Sequence, residues 1–367
     1  MNVPFLDLKA PHQMLKAELE AAFARVLDSG WYIVGKELES FEAKFAEYCG
    51  VEHCIGVGSG LDAIHLLLAA YGIGPGDEVL VPSNTFIATW LAVTRVGAKP
   101  VAVEPDQHTY NMDTTGIEAA ITPRTAAIIP VHLYGQPADM DAINLISERH
   151  KLVVIEDAAQ AQGAQYRDRR VAGLCHAAAT SFYPGKNLGA VGDGGAVLTN
   201  DAAIADKVRE LRNYGSKVKY RHERLGYNSR LDELQAALLL VKLKSLDAWN
   251  GRRSEIARQY SERIRHPEIV VPFVPDWATP VWHLYVVRTS HRDRLQRHLR
   301  ERQIETMIHY PIPPHRQQCY ADMAGLQLPI AERLSVELLS LPIFPSMHAG
   351  EVDLVVDAIN DFDSTRS

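Results

Sequence analysis

An α/β fold, in which a mostly parallel β-sheet lies between layers of helices, is the fold class that this sequence predicts. Between residues 50 and 200, helix-like segments alternate with short strand-like segments. The strand-like segments are apolar at nearly every position, which is typical of strands covered on both faces. From about residue 245 the chain is richer in long charged helices, which indicates a second, smaller α+β domain.

Six short segments account for the strands of the predicted sheet. In chain order they are EVLVPSNTF, KPVAVEP, AAIIPVHLYG, LVVIEDAAQ, AAATSFYP and GGAVLTN. Pro, Gly, Asp or Ser closes most of them, as expected where a strand gives way to a turn. LDAIHLLLAAYGIG has the apolar spacing of a helix and ends in glycine, a residue that commonly terminates helices.

The chain after residue 200 is predicted to be mainly helical. RLDELQAALLLVKLKSLDAWNGRRSEIARQYSERI has the pattern of one long helix, or of two consecutive helices, with a polar face rich in Arg and Glu. A strand is expected at VWHLYVVRT, and further helices at RDRLQRHLRERQI and EVDLVVDAINDF.

The composition limits the possible functions. The chain has 367 residues and 47% hydrophobic content, which suffices for a large core and two domains. Its net charge of −7 argues against a protein whose main task is to bind nucleic acid. We expect no signal peptide and no membrane partner, because the sequence has neither a basic segment followed by an apolar run at its start nor a long apolar stretch.

The cysteines indicate a reducing compartment. Cys49, Cys54, Cys175 and Cys319 form no C-x-x-C pair and are too sparse for a disulfide framework. We therefore expect a cytoplasmic protein whose site contains no metal ion.

Three features are expected at the carboxyl edge of the predicted sheet, where open parallel sheets bind their ligands. GVGSGLDAI, residues 56–64, precedes a helix whose free amides suit a phosphate group, although an ordinary strand-to-helix turn has the same composition. Asp157 suits pairing with a protonated ring nitrogen, or else it caps the next helix. Phe86 suits stacking on a flat cofactor, or else it packs in the core.

A fourth feature is Lys186, in SFYPGKNLGAVGDGGAV. Pro184 and Gly185 precede it and a glycine-rich run follows, a setting that suits a side chain directed into a cleft, although a single lysine is more often a solvated surface charge. Desolvation and nearby cations lower the pKa of a lysine from about 10.4, so that its neutral amine can react with a carbonyl group. Pyridoxal 5'-phosphate (PLP) requires this combination: a phosphate-binding helix N-terminus, an aspartate, an aromatic ring and a partly desolvated lysine.

The sequence resembles the DegT/DnrJ/EryC1/StrS sugar aminotransferases, a group within the fold-type I PLP-dependent transferases. The matching motifs cover nearly the whole chain in family order: FLDLKAPH, SGWYIVGKELESFEAKFAEYCG, GSGLDAIHLLLAAYGIGPGDEVLVPSNTFIAT, VHLYGQPADM, VIEDAAQAQGA, SFYPGKNLGAVGDGGAVLTND, RNYGSKVKY, GYNSRLDELQAALL and IHYPIPPHRQ. The resemblance implies a large PLP-binding domain over residues 1–245, with an N-terminal arm and a mostly parallel seven-stranded sheet. A smaller C-terminal α+β domain is implied over residues 246–367.

The resemblance also implies how the cofactor is bound. Lys186 resembles the lysine that forms the Schiff base, and Asp157 and Gln160 resemble the partners of the pyridine nitrogen and of the phenolic oxygen. Phe86 matches the stacking aromatic residue. The residues that match phosphate contacts are Gly60, Leu61 and Ser181 and, from the other subunit of a homodimer, Asn228. Asn228 could instead cap the helix that follows it. The family often has Thr at the position of Leu61, so backbone amides are expected to contribute more here.

The implied reaction is a ping-pong transfer of an amino group from L-glutamate to the 3-keto carbon of a dTDP-linked 6-deoxyhexose. Family members that aminate C-4 tend to have His where this chain has Tyr183, and the run after Lys186 also resembles the 3-keto-sugar enzymes. The residues that resemble the sugar pocket are Tyr183, His309 and His315. The nucleotide is expected to contact Trp31, Tyr32 or Tyr220.

Several other functions are compatible with parts of this pattern. A 4-keto-sugar aminotransferase of the same family is the nearest alternative. A non-catalytic regulator that binds sugar nucleotides represents a different class, but such a protein is expected to have lost Lys186 or Asp157. The family branch that removes a hydroxyl group has His in place of the lysine, so Lys186 argues against it. A nicotinamide-dependent dehydrogenase remains as an enzyme alternative, although the glycine-rich segment lacks G-x-G-x-x-G spacing.

Overall fold

The structure of the protein, a computed structural model, describes residues 2–364. Its helices are α1 (Lys9–Met14), α2 (Lys16–Ser29), α3 (Lys36–Cys49), α4 (Gly60–Ala70), α5 (Ile87–Arg95), α6 (Thr114–Ala120), α7 (Met140–His150), α8 (Ala202–Leu211), α9 (Glu233–Leu243), α10 (Leu246–Arg263), α11 (Arg292–Glu301), α12 (Pro329–Glu337) and α13 (Ala349–Asn360). Short 3₁₀ helices lie at Leu133–Gly135, Pro314–Arg316 and Gln318–Met323.

The strands are shorter than the helices. They are β1 (His53–Val57), β2 (Glu78–Pro82), β3 (Lys99–Val103), β4 (Thr125–Ile128), β5 (Val153–Asp157), β6 (Gln165–Tyr166), β7 (Arg169–Arg170), β8 (Ala177–Ser181), β9 (Gly195–Thr199), β10 (Ser216–Val218), β11 (Arg221–His222), β12 (Ala278–Thr279), β13 (Tyr285–Arg288) and β14 (Leu338–Leu341).

The main sheet has seven strands in the order β1-β9-β8-β5-β4-β2-β3. Strand β9 runs antiparallel to β1 and β8, and the other neighbours are parallel, so the predicted mostly parallel sheet is confirmed. The sequence prediction did not include β1, because the glycines and serine that follow it make the region resemble a turn. The long helical pattern after residue 230 divides into α9 and α10.

Each face of the sheet has its own apolar core. Successive residues of a strand point to opposite faces, so Val154 of β5 joins one core and Ile155 joins the other. Helices α3, α7 and α9 cover the first face, and α4, α5 and α8 cover the second. This coverage explains why the strands are apolar at consecutive positions.

The C-terminal part of the chain has a separate apolar core. Side chains of α10, α11, α13 and the antiparallel pair β13–β14 form it, together with Val3 from the N-terminal segment. The main chain of Val3 also pairs with Ile304, so the first described residues cross to the C-terminal part. We retain the division into domains near residue 245 as a proposal. Within residues 2–364, no helix is both long enough and apolar enough to cross a membrane.

Candidate active site

A cavity of about 840 Å³ lies at the carboxyl edge of the main sheet. This is the edge where the parallel strands end and helices begin, and where such sheets bind ligands. The strand ends contribute one wall, and segments near residues 5, 283, 305–310 and 343 contribute the other. The cavity therefore lies between the main sheet and the C-terminal part of the chain.

Lys186 lines this cavity from the connection between the antiparallel strands β8 and β9. The N–H of Lys186 donates to the carbonyl of Tyr183 at 2.8 Å and closes a turn around Pro184 and Gly185. At Gly189 an added Cβ would lie 2.2 Å from the carbonyl oxygen of Pro184, so only glycine permits this close return of the chain. The proline and glycines shape the loop that presents the lysine.

The electrostatic setting of Lys186 favours a reactive amine. The side chain is half-buried, and burial lowers the pKa of Lys186 to about 8, while the nearby charge of Asp157 acts in the opposite direction. A substantial fraction of this amine is therefore neutral near physiological pH. A neutral lysine amine can act as a nucleophile or as a base.

Asp157, the last residue of β5, is buried at the bottom of the same cavity. Its Oδ2 accepts a hydrogen bond from Thr89 Oγ1 at 2.8 Å, and its Oδ1 accepts from the N–H of Ala159 at 3.2 Å. Burial raises the pKa of Asp157, and these hydrogen bonds oppose that rise by stabilising the ionised form. The carboxylate is thus fixed in position and suited to pair with a buried cationic N–H.

Gln160 follows Asp157 on the same wall and is almost fully buried. Its Oε1 accepts from the backbone N–H of Tyr134 at 2.6 Å, and its Nε2 donates to the hydroxyl of Tyr310 at 2.9 Å. A primary amide has two N–H donors, so one remains for a ligand.

Phe86 caps the start of α5, and 52% of its surface is exposed although it lies in a cavity. Its nearest ring neighbour is Tyr310, with ring centroids 5.2 Å apart and planes inclined by 38°. A large apolar ring that lines a cavity rather than the core is a suitable surface for a flat ligand.

The N-terminus of α4 lines one part of the cavity. Ser59 caps the helix by accepting from the N–H of Asp62, while Gly60, Leu61 and Ser181 line the wall. A Cβ at Gly60 would lie 2.7 Å from the Cβ of Ser181, so the close approach requires glycine. The free amides and dipole of a helix N-terminus favour an anion at this position.

These groups fit PLP. The helix N-terminus suits its phosphate, the buried carboxylate suits its ring nitrogen, the exposed ring of Phe86 suits its flat face, and the amine suits its aldehyde. All four groups line one cavity, although the sequence separates them by up to 126 residues, from Gly60 to Lys186.

Two of the predicted sugar contacts also line the cavity. Tyr183 is 60% exposed, and His309 lies on the C-terminal wall of the same cavity. Burial and the charge of Lys186 lower the pKa of His309 to about 4, so its imidazole is neutral at physiological pH. Its Nδ1 lies 2.9 Å from Oγ of Ser340.

His315 does not lie in the cavity. It is fully buried, and its Nε2 lies 3.0 Å from Oε1 of Glu332. The structure of the single chain therefore does not support the expected sugar contact, because a buried imidazole paired within the chain cannot reach a ligand.

The remaining predicted residues also lie outside their own chain's cavity. They are exposed on the surface: Trp31, Tyr32, Tyr220 and Asn228. Tyr220 lies in the turn between β10 and β11 and is 83% exposed. Such residues can contact a ligand only in a neighbouring site, or through a rearrangement of their own loops.

The sequence analysis missed several cavity residues. They are Phe5, Leu6, His283, Glu305, Met307 and Tyr310. Phe5, Leu6 and Tyr310 lie within the matching motifs FLDLKAPH and IHYPIPPHRQ, but no role was assigned to them. No local pattern indicates the other three residues, because they come from distant segments that converge only after folding. Tyr310 was the easiest of these residues to predict, because it directly follows His309.

A protein-family model identifies the family to which the chain is similar. The model described as the DegT/DnrJ/EryC1/StrS aminotransferase family matches residues 13–360.

Three relatives match nearly the whole chain. The "Erythromycin biosynthesis sensory transduction protein EryC1" of Saccharopolyspora erythraea is 56% identical over 360 residues, which cover 97% of this chain and 98% of that protein. The "dTDP-3-amino-3,4,6-trideoxy-alpha-D-glucose transaminase" of Streptomyces venezuelae is 54% identical, with 98% and 96% covered. The "dTDP-3-amino-3,6-dideoxy-alpha-D-galactopyranose transaminase" of Aneurinibacillus thermoaerophilus is also 54% identical, with 98% and 99% covered.

Two solved structures share the fold throughout. The crystal structure of S. venezuelae DesV in complex with a ketimine intermediate superimposes with a TM-score of 0.97 at 53% identity, covering 100% of this chain and 99% of that one. The structure of NtdA from Bacillus subtilis with bound cofactor PMP has a TM-score of 0.92 at 34% identity, covering 98% and 84%.

Proposed function

The chain belongs to the DegT/DnrJ/EryC1/StrS aminotransferase family, and we propose that it transfers an amino group from L-glutamate to the 3-keto carbon of a dTDP-linked 6-deoxyhexose. It is a PLP-dependent sugar aminotransferase by family membership. The proposed substrate is supported by the two relatives at 54% identity, whose names share a dTDP-linked sugar and an amino group at C-3.

The observation that carries the proposal is the presence of Lys186 and Asp157 in one cavity. The lysine has a pKa of about 8 and the carboxylate lies buried near it. A protein that only bound sugar nucleotides would have no need of a reactive amine in this position.

We propose the following cofactor contacts. PLP, when bound, supplies an aldehyde that takes up amino groups and a pyridine ring that withdraws electrons from the reacting carbon. Asp157 pairs with the ring nitrogen, the unused N–H of Gln160 binds the phenolic oxygen, and Phe86 stacks on the ring. The phosphate is bound by the backbone amides of Gly60 and Leu61 and by the hydroxyl of Ser181.

In addition to its proposed reaction with the aldehyde of PLP, Lys186 is proposed to carry a proton. Its Nζ can accept a proton from the donor carbon and return one during the second half of the cycle, because a pKa near 8 makes both states accessible at physiological pH. Neutral His309 and exposed Tyr183 face the same space and can form hydrogen bonds to the sugar. Their positions support the proposed sugar contacts.

A homodimer with shared sites would complete this arrangement. The residues that resemble nucleotide and phosphate contacts, but lie outside their own cavity, are Trp31, Tyr32, Tyr220 and Asn228. In addition, Trp31, Tyr32, Ile33 and Val34 form a consecutive run of exposed apolar residues. We propose that a second copy covers this run and receives these contacts, since runs of exposed apolar residues mark interaction surfaces.

The test is a product analysis. The purified protein is incubated with PLP, L-glutamate and either a dTDP-3-keto- or a dTDP-4-keto-6-deoxyhexose, and NMR identifies the aminated carbon. We expect amination at C-3 by the wild-type protein and none by Lys186→Ala. Amination at C-4 would favour the 4-keto-sugar alternative. No amination of either sugar, with sugar nucleotide still bound, would favour the non-catalytic regulator.

A further inference from the structure

Tyr134 connects the two walls of the active-site cavity through a closed set of hydrogen bonds. Its backbone N–H donates to Oε1 of Gln160 at 2.6 Å, and its side-chain hydroxyl donates to the carbonyl oxygen of His309. The set closes because Gln160 Nε2 donates to the hydroxyl of Tyr310, the residue next to His309. Tyr134 thus contacts both Gln160, a proposed cofactor contact, and His309, a proposed sugar contact.

The backbone of Tyr134 determines the orientation of the Gln160 amide. A backbone N–H can only donate, so the Gln160 atom that faces it must be the oxygen. The NH₂ group of Gln160 is then directed toward Tyr310 and the cavity. Tyr134 reaches this geometry with φ of 61°, a left-handed conformation that non-glycine residues adopt mainly where surrounding contacts enforce it.

The contacts around Tyr134 explain how this conformation is maintained. Its side chain is buried, and its carbonyl accepts from the N–H of Leu284 at 3.2 Å. The following residue, Gly135, has φ of 97°, and an added Cβ there would lie 2.8 Å from the backbone nitrogen of His283. The segment is therefore held tightly against the C-terminal part of the chain.

The hydroxyl of Tyr134 contributes to the position of His309. The imidazole of His309 is held by Ser340 at 2.9 Å and stacks on Phe5, with centroids 5.8 Å apart. The bond from Tyr134 to the carbonyl of His309 restrains the main chain of the same residue. Both the side chain and the backbone of His309 are thus held by groups outside its loop.

We propose that Tyr134 is a positioning residue that sets the sugar-side segment, His309 and Tyr310, against the cofactor-side amide of Gln160. The inference rests on the proposed function, because it assigns a purpose to the alignment of these two walls. Tyr134 touches the reacting groups only through its neighbours. Loss of its hydroxyl should therefore affect sugar binding far more than cofactor binding or the reaction with glutamate.

The test compares Tyr134→Phe with Tyr110→Phe. Tyr110 is also buried, and its ring lies 6.1 Å from that of Tyr134, but its hydroxyl makes no hydrogen bond within residues 2–364. Binding of the dTDP-3-amino-3,6-dideoxyhexose product and of dTDP alone is measured by calorimetry. Hydrogen exchange of the 305–316 peptides and thermal unfolding are measured on the protein without ligands.

We expect Tyr134→Phe to weaken product binding by about 10-fold, consistent with the loss of one buried hydrogen bond, and to leave binding of dTDP within about twofold of wild type. Exchange in the 305–316 peptides should accelerate, while the single-turnover reaction with glutamate keeps its rate. Tyr110→Phe should resemble the wild type in all of these measurements.

Two outcomes would overturn the inference. One is product binding and peptide exchange in Tyr134→Phe equal to those of the wild type. The other is an equal loss in product binding and in the rate of the single-turnover reaction with glutamate, which would indicate a general structural defect. Failure of the wild-type protein to aminate either keto-sugar would instead contradict the proposed function, so the two failures are separable.

Discussion

Thr89 Oγ1 donates a hydrogen bond to Oδ2 of Asp157 at 2.8 Å, from the first turn of α5 to the end of β5. Burial raises the pKa of Asp157, and this bond opposes the rise because it stabilises the ionised form. Thr89 lines the cavity as well; it ends the matching motif that contains Phe86, although the sequence analysis assigned it no role. Its hydroxyl thus helps to keep a buried carboxylate charged where the proposed mechanism requires a negative charge.

The Thr89→Val variant tests this relationship. Valine has nearly the same shape but no donor, so we expect the pKa of Asp157 to rise and kcat/KM at pH 7 to fall about tenfold, as for a lost hydrogen bond to a charged group. The acid limb of the kcat/KM profile should move to higher pH. Thr94→Val on the same helix is the control, because Thr94 contacts Tyr320 and the carbonyl of Trp90 instead. An unshifted acid limb in Thr89→Val would contradict the assigned role.

Because burial lowers the pKa of Lys186, we expect the stability of the cofactor-free protein to depend on pH. Its pKa is about 8 in the folded chain and 10.5 in a fully solvated side chain, so between these pH values the unfolded chain binds a proton that the folded chain does not. Stability therefore rises with pH across this window. The destabilising effect of burying the amine is largest below pH 8 and disappears toward pH 10.5.

We therefore expect Lys186→Met to be more stable than the wild type at pH 7, and the two proteins to converge at pH 10.5. Urea unfolding of the cofactor-free proteins at both pH values measures the difference. Lys36→Met is the control, because Lys36 is exposed. A stability difference that is the same at the two pH values would contradict the lowered pKa.

Gly60→Ala tests the phosphate end of the cavity. The added methyl group would lie 2.7 Å from Cβ of Ser181, so we expect the helix start to shift and the dissociation constant for PLP to rise at least about tenfold. Gly116→Ala, within α6, is a matched control, because the added Cβ would lie at an ordinary contact distance of 3.6 Å from the side chain of Val103. Fluorescence titration with PLP measures both. Equal affinities of the two variants for PLP would contradict the proposal that the phosphate binds where Gly60 approaches Ser181 closely.

The proposed shared site can be tested by subunit mixing. If Asn228 acts in the neighbouring site, a dimer of one Lys186→Ala chain and one Asn228→Ala chain contains one intact site and one site with both defects. Random mixing of equal amounts should then restore about a quarter of the wild-type activity, although each variant alone is nearly inactive. Activity that stays at the average of the two variants would place Asn228 in its own chain's site. Size-exclusion chromatography with light scattering checks that dimers form.

The fold could be predicted from the sequence to a large extent, because local patterns carry most of its information. Buried parallel strands require consecutive apolar residues, and each of the six predicted strand segments contains or overlaps a strand of the main sheet. Strand β1 was missed because its five residues include a glycine and run into a turn. The antiparallel direction of β9 was not predicted, since apolar content does not encode strand direction.

The cofactor side of the site was predictable for a related reason. Lys186, Asp157, Phe86 and Gly60 lie next to strand or helix ends, and parallel strands bring such ends to one edge. The sugar side was less accessible. His309 and His315 lie in one motif, yet the structure places His309 in the cavity and buries His315 against Glu332.

The sequence by itself determined the class of fold, the family and the group of residues suited to PLP, because these depend on periodicity and on residues beside strand ends. Only the tertiary structure decided which side chains face the cavity, that burial lowers the pKa of Lys186, and that Tyr134 links Gln160 to His309. The physical reason is that burial and hydrogen bonds between distant segments arise from packing. Residues 134 and 309 are far apart along the chain, and no local pattern records their contact.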